Sequence, residues 1–259
     1  MGGQPMNAEP DPFLIRAHVA DFDAHVGDYR AASEASREIL PHRLDVAYGD
    51  RPDEKLDLFF PRNRRAGGRL PVHIFVHGGY WRAFSRKDYA FVADIITARG
   101  AIAAIIDYSL MQGARMATLV AQVRRAARWV VDKAATFGGD PDAVSASGHS
   151  AGGHLASYLV GRGPHEDAFP DIPIRSATLV SGIYDLRPIA RSFLQAEIRL
   201  TSDETAAWSP RDAFVRQDCR VRLVVGASET LPFLEQSNAG QSHPRPWRMT
   251  AMEYASTIF

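Results

Sequence analysis

From Pro71 onward the chain alternates two textures. Val72–Val76, Ala101–Ile106, Ala143–Ser147, Ser176–Val180 and Val221–Val225 are short, largely apolar runs of the kind that strands buried on both faces carry. Between them, Lys87–Arg99 and Met116–Ala135 space their apolar side chains three and four apart, which predicts helices. The second is closed by Phe137-Gly138-Gly139-Asp140-Pro141, a glycine stop followed by proline. Strand, helix, strand repeated in this way predicts an α/β fold with a mostly parallel central sheet and helices on both faces. Active residues then belong at the carboxyl ends of its strands. Upstream, Phe13–Val19 and Tyr29–Leu40 read as short helices, the second ended by Pro41. Arg43–Tyr48 and Lys55–Phe60 alternate about Gly49-Asp50-Arg51-Pro52 and predict an N-terminal antiparallel hairpin. Residues 1–12 are polar and proline-containing and are expected as a flexible tail, with 13–259 as a single domain.

Composition narrows the function classes. The 259 residues suit one α/β domain. The 30 basic and 30 acidic side chains cancel, which argues against a nucleic-acid partner, a membrane surface or a disordered chain; a homodimer is left open. Cys219 is the single cysteine, so no internal disulfide and no cysteine metal cluster can form. Met1–Asn7 carries neither a basic nor an apolar leader segment, and no apolar run is long enough for a bilayer, so a cytoplasmic location is expected.

The chemistry centres on Gly148-His149-Ser150-Ala151-Gly152. A strand, Ala143–Ser147, leads into it, and Ala151–Leu159 leads out with helical spacing. Glycines two before and two after a serine allow a sharp strand-to-helix turn that exposes the hydroxyl above the sheet. The helix starting at Ala151 aims its free N–H groups at the same point. Ser150 is thus the candidate nucleophile. After the first core strand comes His77-Gly78-Gly79-Tyr80-Trp81, where the N–H groups of Gly78 and Gly79, with that of Ala151, form a candidate oxyanion hole. His77 is expected to order this loop, and Tyr80 and Trp81 to wall the substrate pocket, with the core as the alternative place for either.

These segments resemble the α/β-hydrolases of the arylformamidase (kynurenine formamidase) and hormone-sensitive-lipase-like esterase family. The likeness covers Ala47-Tyr48-Gly49 with Leu56–Phe59, His77–Trp81, Asp107–Leu110, Gly138–Pro141, Gly148–Leu155 and Ser181–Leu186. Tyr80-Trp81 in the glycine loop tilts it toward the formamidases. The resemblance implies a serine hydrolase acting through an acyl-enzyme on small aryl or short-chain esters or N-formyl aryl amides, without metal or organic cofactor. No long insertion suggests a large cap, so formyl to butyryl acyl groups are expected to be preferred.

In such enzymes a carboxylate follows the next-to-last strand, and the resemblance puts Glu229 there, where aspartate is usual; Asp185 is the runner-up. The histidine base follows the acid in this fold. His243 is the only histidine downstream of Glu229, yet it precedes the last strand-like run, Trp247–Tyr254. Six residues rising ~3.3 Å each would leave it about 20 Å from the carboxyl edge. The proper position lies just past Tyr254, where the sequence reads Ala255-Ser256-Thr257-Ile258-Phe259, so the C-terminal segment is expected to be missing or frame-altered and activity to be low. An impaired or non-catalytic protein of the same fold is the alternative. His149, His154 and His165 read as elbow, helix and loop residues.

Overall fold

The computed structural model describes residues 10–63, 68–241 and 253–255. Its strands are β1 (His42–Ala47), β2 (Lys55–Phe59), β3 (Leu70–Val76), β4 (Ile102–Ile106), β5 (Gly139–His149), β6 (Gly161–Arg162), β7 (Ile174–Val180), β8 (Phe214–Val215), β9 (Arg220–Gly226) and β10 (Glu253–Ala255). Its α-helices are α1 (Ile15–His18), α2 (Phe22–Ile39), α3 (Val92–Ala98), α4 (Met116–Lys133), α5 (Ala151–Ser157), α6 (Leu186–Ile189), α7 (Gln195–Ile198), α8 (Ser202–Ala207) and α9 (Leu231–Gln241).

Eight strands form one sheet in the order β1-β2-β4-β3-β5-β7-β9-β10, and β6 and β8 pair separately. The hairpin is antiparallel, β2 is antiparallel to β4, and every pairing from β4 through β3 and β5 to β10 is parallel. This is the mostly parallel sheet with an N-terminal antiparallel hairpin that the alternating textures predict, in the strand order that the resemblance implies.

The apolar runs explain themselves in the packing. All five residues of β4 are buried. Ile102, Ala104 and Ile106 join Ile74 and Val76 in the larger core, while Ala103 and Ile105 join Phe75 in the smaller one on the opposite face. That is the two-residue period of a strand covered on both sides. Helix α4 turns Met116, Leu119, Val120, Val123, Ala127 and Val130 onto the larger core, three and four apart. Each such Leu, Ile or Val contributes roughly 2 kcal/mol by leaving water.

Four expectations are corrected. Helix α2 begins at Phe22, not Tyr29, and α1 is a single turn inside the predicted Phe13–Val19. The predicted helix over Lys87–Arg99 is helical only from Val92 to Ala98. Its first part is instead bent by Asp88, whose Oδ2 accepts from both the Ser85 N–H and the Ser85 hydroxyl at 2.9 Å. Asp11 and Pro12, expected in a loose tail, are anchored: Asp11 Oδ2 accepts from Phe193 N at 2.6 Å and the Pro12 carbonyl from the Thr230 hydroxyl at 3.3 Å. The glycine stop stands, with Gly138 at φ 84 closing a short 3-10 turn, Ala134–Phe137.

Candidate active site

Ser150 sits between the end of β5 and the start of α5, at φ 53 and ψ −120. That left-handed φ is strained for a serine and is tolerated because the surroundings leave no alternative. A Cβ on Gly148 would overlap the carbonyl of Gly152, and one on Gly152 would overlap the carbonyls of Val76 and His77. The two glycines therefore let β5, α5 and the end of β3 meet at one corner. The Ser150 N–H donates to the Val180 carbonyl at 2.8 Å, and the Ser150 carbonyl accepts from His154 N at 3.1 Å.

The glycine loop is held as firmly. Gly79 lies at φ 113, followed by Tyr80 at φ 51 and Trp81 at φ 56. The Gly79 carbonyl accepts from the N–H groups of Arg82 and Ala83 at 3.0 Å. A left-handed run of this kind costs on the order of 1–3 kcal/mol per non-glycine residue, and a buried network offsets it. The backbone N–H of Arg86 donates to Asp107 Oδ1 at 2.5 Å, and its Nε donates to Asp57 Oδ1 at 3.0 Å. Its guanidinium also donates to the other Asp107 oxygen and to Asp45. His77 plays the ordering part expected of it: its Nδ1 lies 2.8 Å from the Gly78 carbonyl and its ring stacks on Tyr108 at 4.3 Å. Burial lowers the pKa of its imidazole.

A cavity of about 90 Å³ opens beside the elbow, and Ser150, Gly79, Tyr80 and Glu229 all face it. Gly78 lies one residue behind, where an added Cβ would come within 3.0 Å of the His149 carbonyl and the Tyr89 hydroxyl. Ala151 is buried at the first turn of α5. Trp81 is a correction. It is 0% exposed, packs edge-on to His154 at 5.0 Å and belongs to the core rather than the cavity wall. On successive residues of this turn the indole faces inward while Tyr80 stays on the cavity.

Glu229 follows β9, with its N–H on the Gly226 carbonyl at 3.2 Å. The hydroxyl of Ser181, just past the end of β7, donates to Glu229 Oε1 at 2.5 Å. Burial pushes the Glu229 carboxyl upward, and the Ser181 hydrogen bond works against that rise. The charge of Glu229 is felt by both Tyr29 and Tyr80, whose phenols are raised first by burial and then by this carboxylate. Asp185 is engaged elsewhere: it caps α6 and accepts from Arg187 at 2.7 Å and Arg211 at 2.9 Å.

His243 lies outside the described residues. The described histidines that face the cavity are His25 and His149. His149 Nδ1 is 3.1 Å from the Tyr89 hydroxyl, and burial lowers its pKa to about 4. His154 places Nε2 2.8 Å from the Trp208 carbonyl, and His165 is exposed, in keeping with helix and loop roles. β10 runs parallel to β9, with Ala255 beside Gly226.

Three features were not read from the sequence. One is Ser181 as the partner of Glu229. The others are the contribution of α1 and α2 to the cavity and the presence of Tyr89 in its wall. Phe22, His25, Val26 and Tyr29 line the cavity at helical spacing, a signal that was available. Among the described residues no group of three His, Cys, Asp or Glu side chains is arranged to hold a metal ion, and no helix is long and apolar enough to cross a membrane.

The BD-FAE family matches residues 56–172. A kynurenine formamidase of Danio rerio is 31% identical over 221 residues, covering 83% of this chain and 72% of that protein. Among solved structures, a provisionally named thioesterase from Silicibacter sp. tm1040 superposes with a TM-score of 0.81 at 27% identity, covering 95% of this chain and 90% of the other. A thermophilic esterase from Thermogutta terrifontis gives a TM-score of 0.60 at 25% identity, with 78% and 75% covered.

Proposed function

The chain belongs to the kynurenine formamidase family of α/β-hydrolases and is a hydrolase of the esterase/formamidase type, and from that premise we propose that it works as a serine hydrolase through an acyl-enzyme. The observation that carries the reading is the strained Ser150 elbow facing the same cavity as Glu229. Ser150 Oγ attacks the substrate carbonyl, and a base takes its proton. The N–H groups of Gly78, Gly79 and Ala151 receive the oxyanion, the leaving group departs with a proton, and water then cleaves the ester to Ser150. Glu229 orients and stabilises the base. His243, the only histidine downstream of Glu229 in the sequence, is the candidate for that role. Residues 13–259 act as one domain.

The substrate class proposed is small aryl or short-chain esters or N-formyl aryl amides. A cavity of about 90 Å³ suits a short acyl group better than a long chain. Its wall of Tyr29, Tyr80, Phe84 and Phe233 suits an aryl group. A panel of aryl esters graded from formyl to octanoyl, together with N-formyl aryl amides, tests this reading. We expect kcat/KM to peak between formyl and butyryl; a peak at long chains contradicts it. His243→Ala should remove turnover if that residue is the base, and full turnover would exclude it.

A further inference from the structure

Resting on the reading of Glu229 as the acid, we infer that Ser181 is the positioning residue that fixes the Glu229 carboxylate and leaves its second oxygen for the base. The two residues lie just past the carboxyl ends of adjacent parallel strands, with Val180 of β7 in register with Val224 of β9. Ser181 is tied to that neighbour directly, its N–H donating to the Val224 carbonyl at 2.7 Å. From there its hydroxyl reaches Glu229 Oε1 at 2.5 Å, while Oε2 accepts no hydrogen bond among the described residues. A carboxylate with one oxygen held and one free is what an imidazole N–H needs for a fixed orientation.

The backbone of Ser181 supports the inference independently. It sits at φ 45, a left-handed conformation that serine rarely adopts, and glycine would occupy it without strain. Serine at a site suited to glycine indicates that the hydroxyl has a use. Both Ser181 and Glu229 face the cavity that Ser150 faces. A glutamate has one more rotatable bond than an aspartate and loses more side-chain freedom when fixed, so it benefits more from a second anchor. The hydroxyl also opposes the upward push of burial on the carboxyl, favouring the charged form that an imidazolium requires.

The test compares Ser181→Gly, Ser181→Ala, Glu229→Gln and the double variant Ser181→Gly/Glu229→Gln, using p-nitrophenyl acetate in single- and multiple-turnover assays. Ser181→Gly removes the hydroxyl while relieving the backbone, so it separates the two. We expect kcat to fall about tenfold in both Ser181 variants, equivalent to the loss of one charge-assisted hydrogen bond, with KM within about twofold. In the Glu229→Gln background, Ser181→Gly should have no further effect, because the hydroxyl acts only through that carboxylate. A separate readout does not depend on turnover: carbon NMR of labelled glutamate should show the Glu229 carboxyl titrating higher in Ser181→Gly. Wild-type kcat in Ser181→Gly beside a slow Glu229→Gln, additive losses in the double variant, or an unmoved carboxyl titration would each overturn the inference alone. Full turnover in Glu229→Gln would overturn the reading of the acid, and the inference with it.

Discussion

At the end of β5 the backbone has nowhere else to go: side chains at Gly148 or Gly152 would overlap carbonyls of Gly152, Val76 or His77, and Ser150 is forced to φ 53. Across the cavity, the segment from Asp11 to Tyr29 is held by a few separate contacts. Tyr80 donates to the Phe13 carbonyl at 2.8 Å, Phe193 N to Asp11 at 2.6 Å, and Thr230 to the Pro12 carbonyl at 3.3 Å. Tyr29 packs on Phe91 at 4.7 Å and Phe13 on Phe233 at 6.1 Å. Each of those bonds or ring pairs contributes about 1 kcal/mol. The elbow is therefore rigid by exclusion, whereas the N-terminal wall is stable by summation. The first suits chemistry that needs a fixed atom, the second a fit that must admit substrate.

The largest effect should come from Ser150→Ala. It removes one oxygen from a corner whose shape the glycines set, so hydrolysis should fall to background while thermal stability is kept. Wild-type turnover would break the elbow half of the comparison.

Acid should attack the elbow next. Burial holds His149 and His154 to about 4, while an unfolded histidine titrates near 6.5. Below about pH 6.5 the unfolded chain takes up protons that the folded state refuses. The stability present above that pH is therefore lost as pH falls toward 4, by roughly 3 kcal/mol for each ring. Thermal unfolding between about pH 7 and pH 4.5 checks this, and a Tm that is flat over that window would contradict it.

Gly79→Val tests the loop opposite Ser150. Its φ of 113 and the Ala83 carbonyl exclude a branched side chain, so the N–H groups should lose their aim. Turnover should fall by about a hundredfold with a smaller change in KM, because the hole is used chiefly in the transition state. A rise in KM alone would count against an oxyanion role.

Tyr80→Phe should give the smallest effect and the clearest contrast. It deletes one tie between the cavity and Phe13, so KM should rise about fivefold, with kcat within about twofold. An unchanged KM would mean that the N-terminal wall does not depend on that bond.

The same contrast explains what could be read from the chain before its structure. The elbow is local in sequence: glycines at fixed offsets from Ser150, flanked by strand and helix patterns, specify it with few alternatives. The sheet was legible because strand and helix patterns alternate along the chain and its inner strand β4 is buried on both faces. Helix α2 was read as starting too late because Gly27 interrupts its first half and Asp21, at φ 53, makes no side-chain cap. The arrangement of Ser181 with Glu229 joins residues 48 positions apart and depends on strand order, which no local pattern encodes. The place of Trp81 was not legible for a related reason, since either of two neighbouring aromatics beside a glycine loop can face the core. His243 lies outside the described residues.

The central claim is that Ser150 becomes acylated. Incubating the protein with a fluorophosphonate, digesting it and sequencing the modified peptide by mass spectrometry tests that claim directly. The account predicts a single adduct on Ser150 that is absent from Ser150→Ala and slowed in Glu229→Gln. Hydrolysis of aryl esters with no adduct, or with the adduct on another side chain, would contradict it.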